Sequence, residues 1–288
     1  MNLFVFGLGY SAERFLRMYG ADITAVACTV RSAEKARRLV AEFPDLETFD
    51  WDGSSHDPRI GSRLGDADAL IVSIAPDDRD PALAHYEADI AASNVRRIVY
   101  LSTIGVYGGG GGEWVDESSA PRSASPRSRA RVDAETGWLR LGERTGKDVF
   151  ILRLAGIYGP DRNAIASLRA GTAKRIVRPG QVFNRIHVDD IARSIMACLS
   201  GSASGGVFNV CDDEPAPPQD VVAWAAGLIG AQPPPEIPFE EAGLSPMAAS
   251  FWKNNQRVAN RRLKEQLNVE LLYPTYREGL AALTRDER

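Results

Sequence analysis

The chain has little of what metal centres, disulfide frameworks and membrane spans require. Its 288 residues include three cysteines and three histidines. Cys28, Cys198 and Cys211 lie far apart, as small core residues in a reducing compartment would, not as a disulfide set. His56, His85 and His187 form no ligand spacing, so no metal is expected. No uninterrupted apolar run reaches the roughly 20 residues that cross a bilayer, so no membrane partner is expected. The chain opens on an apolar run without a basic leader, which points away from a signal peptide and to a cytoplasmic location. A net charge of −4 gives no overall field for nucleic acid. The 44% apolar and 25% charged composition is that of a globular protein, with a small molecule as the expected partner.

What is present begins at residue 3. Leu3-Phe4-Val5-Phe6 is followed at once by Gly7 and Gly9 and then by a helical pattern, Ser11 to Tyr19. A buried strand, a tight turn and a helix N-terminus in this order suit a dinucleotide pyrophosphate. Gly7 permits the turn, and Gly9 lets the backbone approach the phosphates, with Tyr10 and Ser11 opening the helix. Ala12 lets that helix pack close to the strand. A second apolar, β-branched run, Ile23 to Val30, completes a βαβ unit.

The residues ending that second run bear on the cofactor. A carboxylate there would bond the ribose 2′-hydroxyl of NAD and repel a 2′-phosphate. Arg31 and Ser32 stand there instead. A guanidinium fork and a hydroxyl suit a phosphate, so NADP is favoured over NAD. The alternative is that Arg31 is a solvated residue opening the basic helix Ser32–Val40.

Strand-like runs continue at Glu47–Asp50, Ala69–Ser73, Arg97–Ser102, Asp148–Leu154 and Gly206–Val210. Helical patterns separate most of them, at Ala33–Glu42, Pro81–Ala92, Arg129–Leu141 and Asp189–Ser200. This alternation predicts an α/β fold, a Rossmann-type doubly wound parallel sheet with a smaller, mostly helical C-terminal lobe. Proline becomes frequent after about Asp212. Residues 1–160 and 186–212 are therefore assigned to the dinucleotide domain, and 161–185 and 213–288 to the substrate lobe. Gly108–Ser128, with five consecutive glycines, reads as a mobile loop.

Four segments, in order behind the glycine turn, carry a family resemblance over nearly the whole chain. They are Leu101-Ser102-Thr103-Ile104-Gly105-Val106-Tyr107-Gly108, the run Ile151 to Pro160, Ile186-His187-Val188-Asp189-Asp190, and Val207-Phe208-Asn209-Val210. The chain resembles the extended short-chain dehydrogenase/reductases, also called the NAD-dependent epimerase/dehydratase family. The resemblance implies a bound NAD or NADP and chemistry on a sugar nucleotide or another polar carbonyl compound. It also implies pairing into a homodimer through the helices after the fourth and fifth strands.

The resemblance also shows what is missing. The family's catalysis rests on Tyr-x-x-x-Lys in the helix after the fifth strand. Aligning Glu135 with the glutamate common in that helix puts Arg127 at the tyrosine position and Arg131 at the lysine position. No tyrosine lies between Tyr107 and Tyr158, and no lysine between Lys35 and Lys147. Guanidinium does not deprotonate in proteins, so Arg127 is no acid or base. Arg131 retains the capacity to bond a ribose. Thr103 falls where the family has its catalytic Ser or Thr, beside Ser102. The glycine turn departs too, with Phe6 at the first position of the usual GxxGxxG.

By the same resemblance Ser73-Ile74-Ala75-Pro76 runs along the ribose and nicotinamide, and Asp50 reaches toward the adenine. Tyr107 and Tyr158 are the nearest candidates for a substitute proton donor, although both also belong to structural motifs. Arg127, Tyr158, Arg185 and Trp252 are candidate substrate contacts, and Trp252 serves equally well as lobe core. Asp189 and Asp190 beside His187 read as helix caps. Two functions remain open: an NADP-dependent oxidoreductase, epimerase or dehydratase with a non-standard site, or a non-catalytic NADP-binding sensor.

Overall fold

Along β1 (Asn2–Phe6) Leu3 and Val5 enter one apolar layer and Phe4 and Phe6 the other, and all four are buried. This is the period of two of a strand covered on both faces. The computed structural model describes residues 1–122 and 125–286. After β1 come α1 (Tyr10–Tyr19), β2 (Ala25–Val30), α2 (Ala33–Glu42), β3 (Leu46–Asp50), α3 (Pro58–Gly65), β4 (Ala69–Val72), α4 (Pro81–Ala92) and β5 (Arg97–Thr103). The middle of the chain makes β6 (Trp114–Val115), α5 (Pro126–Thr145), β7 (Asp148–Leu154), β8 (Gly156–Tyr158), α6 (Ala164–Arg169), β9 (Arg175–Val177) and β10 (Arg185–His187). The last third makes α7 (Val188–Ser200), β11 (Gly206–Val210), α8 (Pro218–Leu228), β12 (Glu236–Pro238), α9 (Pro246–Phe251), β13 (Arg257–Val258), α10 (Arg261–Gln266) and α11 (Tyr276–Asp286).

Seven strands form one parallel sheet in the order β11-β7-β5-β4-β1-β2-β3. One apolar layer takes Phe15 and Leu16 of α1, Leu39 of α2 and Ile191 and Ile195 of α7. The other takes Ile60 and Leu64 of α3, Tyr86 and Ile90 of α4, and Trp138 and Leu141 of α5. The fold is the Rossmann-type α/β architecture that the alternation predicts. Helices α6, α8 and α11 pack around Ile165, Val221, Tyr276 and Leu280 in a separate small core. No helix among the described residues is long and apolar enough to cross a membrane.

Three expectations change in detail. The expected loop Gly108–Ser128 contains β6, which pairs in parallel with β13, and its last residues open α5. Ser125 caps that helix by accepting from the Ser128 N–H at 3.1 Å, with Pro126 in the first turn. Residues 123 and 124 of the expected loop lie outside the described residues. Ile23 ends a 3₁₀ turn over Gly20–Asp22, so β2 begins at Ala25. Helix α3, unexpected from the pattern, is capped by Asp57, which accepts from Arg59 N–H at 2.9 Å.

Candidate active site

The chain leaves β1 for β2 and β3 on one side and returns to β4 on the other. This reversal opens a crevice at the carboxyl ends of the strands. Gly7 turns the chain there with φ +80, and its N–H donates to Thr29 Oγ1 at 2.8 Å. A Cβ on Gly7 would lie 2.4 Å from Ile74 Cγ2, so both backbone angle and space require glycine. Gly9 precedes α1 without any side-chain cap, which leaves the first-turn N–H groups to meet an anion. Around this turn lies a cavity of about 780 Å³, lined by Gly7, Gly9, Arg31, Ser32, Ser73 and Ala75 among others. The glycine cradle and the uncapped helix end fit a dinucleotide.

Lys35 lines the same cavity one helical turn beyond Arg31. Its Nζ lies 3.0 Å from Glu13 Oε1, and Arg38 reaches Glu13 Oε2 at 2.9 Å. The carboxylate inside α1 is thereby paired with two cations, while Asp52, Asp77 and Asp78 line the same cavity. Ser32 caps α2 by accepting from Lys35 N–H at 3.2 Å. Arg31 is exposed.

A second cavity of about 750 Å³ opens beyond β5, β7 and β10, and Ser73 lines both cavities. Its wall carries Thr103, Arg131, Tyr158, Arg162, Arg185 and Gln256, and no Asp or Glu among the described residues lines it. Arg131 donates to Tyr100 Oη and the Leu101 carbonyl, both at 3.0 Å. Arg185 donates to the Phe183 carbonyl at 2.9 Å and to the Ala216 carbonyl at 3.2 Å. Arg162 lies over the Tyr10 ring, 5.7 Å from its centroid, and no carboxylate among the described residues bonds it. Thr103 Oγ1 accepts from Gly105 N–H at 3.1 Å, which leaves its proton to point elsewhere. Tyr158 donates to the Thr275 carbonyl at 3.5 Å, and burial pushes its phenol well above the ordinary value.

Behind this wall runs a buried polar chain. Ser102, which lines the cavity, donates to Glu135 Oε1 at 2.5 Å. Arg153 pairs with Glu135 at 2.7 Å and donates to Tyr107 Oη at 3.0 Å. Tyr107 in turn donates to Asn209 Oδ1 at 2.7 Å.

Residues 86–211 match the NAD dependent epimerase/dehydratase family. A solved structure from Silicibacter pomeroyi, described as a functionally unknown conserved protein, is 41% identical. It superposes with TM-score 0.88 over 100% of this chain and 99% of its own. The chain belongs to the NAD dependent epimerase/dehydratase family. Among relatives, a Streptomyces 3-diazoavenalumate denitrifying reductase is 27% identical over 95% of both chains. A Bacillus cereus UDP-glucuronic acid 4-epimerase, solved with UDP-glucuronic acid and NAD, shares the fold at TM-score 0.79 and 16% identity over 100% of both chains.

Set against that family, the expected site residues fall into three groups. Gly7, Gly9, Arg31, Ser32 and Ala75 line the first cavity, and Ser11, Ser102, Thr103, Arg131, Tyr158 and Arg185 the second. Tyr10 lines neither; its hydroxyl donates to the Pro160 carbonyl at 2.8 Å, and burial pushes it up to about 12. Asp50 is exposed and Pro76 buried, and neither reaches a cavity, whereas Trp51 and Asp52, just after Asp50, do.

Three expectations are corrected. Tyr107, expected as a substitute proton donor, has its buried hydroxyl held by Asn209 and Arg153 and lines neither cavity. Arg127 stands exposed in the first turn of α5, outside both cavities. Trp252 packs between Phe183 and Phe239 as lobe core, and its neighbour Phe251 lines the second cavity instead. Reading along the chain missed Lys35, Arg162, Asn184 and Gln256. The i+4 spacing of Lys35 from Arg31 was a usable signal for the first; the others are gathered only by the tertiary fold.

Proposed function

We propose that this protein is an NADP(H)-dependent reductase of a small anionic molecule. The observation that carries this is the meeting, at Ser73, of a glycine-turn cavity edged by Arg31, Ser32 and Lys35 with a cavity holding three arginines and, among the described residues, no carboxylate. The dinucleotide, when bound, supplies a hydride. Arg31 and Lys35 would hold its 2′-phosphate, with charge and fork geometry that a plain 2′-hydroxyl does not need. Arg162 and Arg185 would hold the substrate's anionic group, and the Thr103 hydroxyl would orient the reacting centre.

The cavity offers little acid. Guanidinium keeps its protons, and the Tyr158 phenol is pushed further from release by burial. The best substrates are therefore electron-poor centres that accept hydride without a proton from the protein, with solvent supplying it afterwards. The Streptomyces relative, named a reductase and aligned over nearly its whole length, supports this class. In this reading residues 1–160 and 186–212 serve the cofactor, and 161–185 and 213–288 close the substrate side. The same shortage of acid favours a second reading, a non-catalytic NADP sensor.

Transfer of deuterium from C4-labelled NADPH to electron-poor carboxylates separates the two. Stereospecific transfer that Thr103→Val slows at least tenfold establishes the reductase. Label retained for hours across the panel, despite tight NADPH binding, establishes the sensor.

A further inference from the structure

We infer that Gln256 reads a hydroxyl or amino group on the substrate, in the same cavity that holds its anionic group; this rests on the anionic reading of that cavity. Gln256 is only 4% exposed, yet it lines the second cavity. Its Nε2 donates to the Ile104 carbonyl at 3.4 Å. That bond fixes the orientation of the amide, because a carbonyl accepts only from the nitrogen end. The other end, Oε1, is buried and has no hydrogen-bond partner among the described residues. Buried side-chain oxygens are normally satisfied, so one left open in a cavity wall calls for a donor brought by the ligand.

The surroundings narrow the donor. The backbone of Gln256 is pinned, since its carbonyl accepts from Asn184 Nδ2 at 2.8 Å and the next strand pairs β13 with β6. The amide cannot swing away to find another partner without breaking the Ile104 bond. Ile104 and Gly105 follow Thr103 directly and line the same cavity, so the Ile104 bond sets the Gln256 amide beside the wall that carries Thr103. Arginines cannot accept a hydrogen bond, and no carboxylate among the described residues lines the wall. A neutral amide in a cavity that also carries three guanidinium groups therefore suits a molecule with an anionic end and an O–H or N–H donor at a fixed distance from it. A site of this kind rejects the analogue lacking the donor far more strongly than it rejects a change of size.

The test uses NADPH-loaded full-length protein and a panel of matched carboxylates, each with and without one hydroxyl: lactate and propionate, 4-hydroxybenzoate and benzoate, 4-hydroxycinnamate and cinnamate. Affinities come from competition measured by ligand-observed NMR. At least one hydroxylated member is expected to bind tenfold or more tightly than its partner. Gln256→Met, which keeps the length and removes the acceptor, brings that ratio to about one. Gln256→Glu, which restores an acceptor, keeps hydroxyl preference while weakening all carboxylates through charge. Circular dichroism and Tm establish that both variants fold; should Gln256→Met not fold, the wild-type ratio and the Glu variant decide. Carboxylates that bind without hydroxyl discrimination overturn the role of Gln256 and leave the anionic cavity standing. No binding by any member overturns the anionic cavity and the inference with it.

Discussion

Arg153 on β7 and Glu135 on α5 face each other through the core, with Nη2 to Oε2 at 2.7 Å and both side chains almost wholly buried. The pair ties the helix that carries Arg131 to the strand that ends at the second cavity. It also fixes Ser102 through Glu135 and Tyr107 through Arg153. Removing one partner leaves a buried charge uncompensated. Arg153→Leu is expected to cost about 3–5 kcal/mol, read as a lower urea midpoint. A loss below about 1 kcal/mol would mean the pair contributes little beyond its packing.

Tyr107 belongs to that chain and lines neither cavity. Tyr107→Phe removes the donor to Asn209 and the acceptor for Arg153, and is expected to cost about 1–3 kcal/mol of stability. The rate of hydride transfer under saturation should change less than twofold. A hundredfold fall in that rate, with stability intact, would restore Tyr107 as a proton donor.

The glycine turn permits no side chain. Gly7→Ala places a Cβ against Ile74 at a positive φ, so the turn must shift. NADPH affinity is expected to fall at least tenfold, measured by energy transfer from tryptophan to nicotinamide. An unchanged affinity would mean the phosphates do not rest on this turn.

Asp212 gives the fold a pH dependence. Burial pushes its carboxyl up to about 8, against the pull of the nearby Arg185. Asp190 moves the same way, to about 6, opposed by the backbone N–H groups of Leu272 and Tyr273. The folded state therefore keeps protons that the unfolded chain has released above about pH 4. Each of these groups makes stability fall as pH rises, Asp212 between about 4 and 8 and Asp190 between about 4 and 6. Asp212→Asn removes the larger part of this slope. Its Tm should gain on the wild type steadily from pH 5 to pH 8; a gap that stays constant, or moves the other way, contradicts the assignment.

The parts of this molecule legible along the chain are those fixed locally. Helices α2 and α4 begin and end where the pattern places them, because Ser32 and Asp80 cap them and Pro81 starts the second. The inner strands of the sheet are legible because burial on both faces demands continuous apolar runs, whereas edge strand β3 keeps Glu47 and Asp50 exposed. Strands β6 and β13 are not, since two residues carry no periodicity and their pairing joins positions far apart in sequence. Likewise Thr103 and Arg131 could be placed by register with the family. Gln256 could not, because only the docking of the 253–257 segment against the glycine-rich loop brings it to Ile104. Trp252 and Phe251 show the same limit: adjacent aromatics, of which the fold buries one and presents the other.

The most direct test of the account is a titration of cofactor-stripped protein with NADPH and with NADH, followed by energy transfer from tryptophan to the nicotinamide. The account predicts NADPH binding at least tenfold tighter than NADH, with the difference removed by Arg31→Ala and reduced by Lys35→Gln. Equal affinities unaffected by Arg31→Ala would contradict the phosphate site, and no binding of either cofactor near millimolar concentration would contradict the reductase itself.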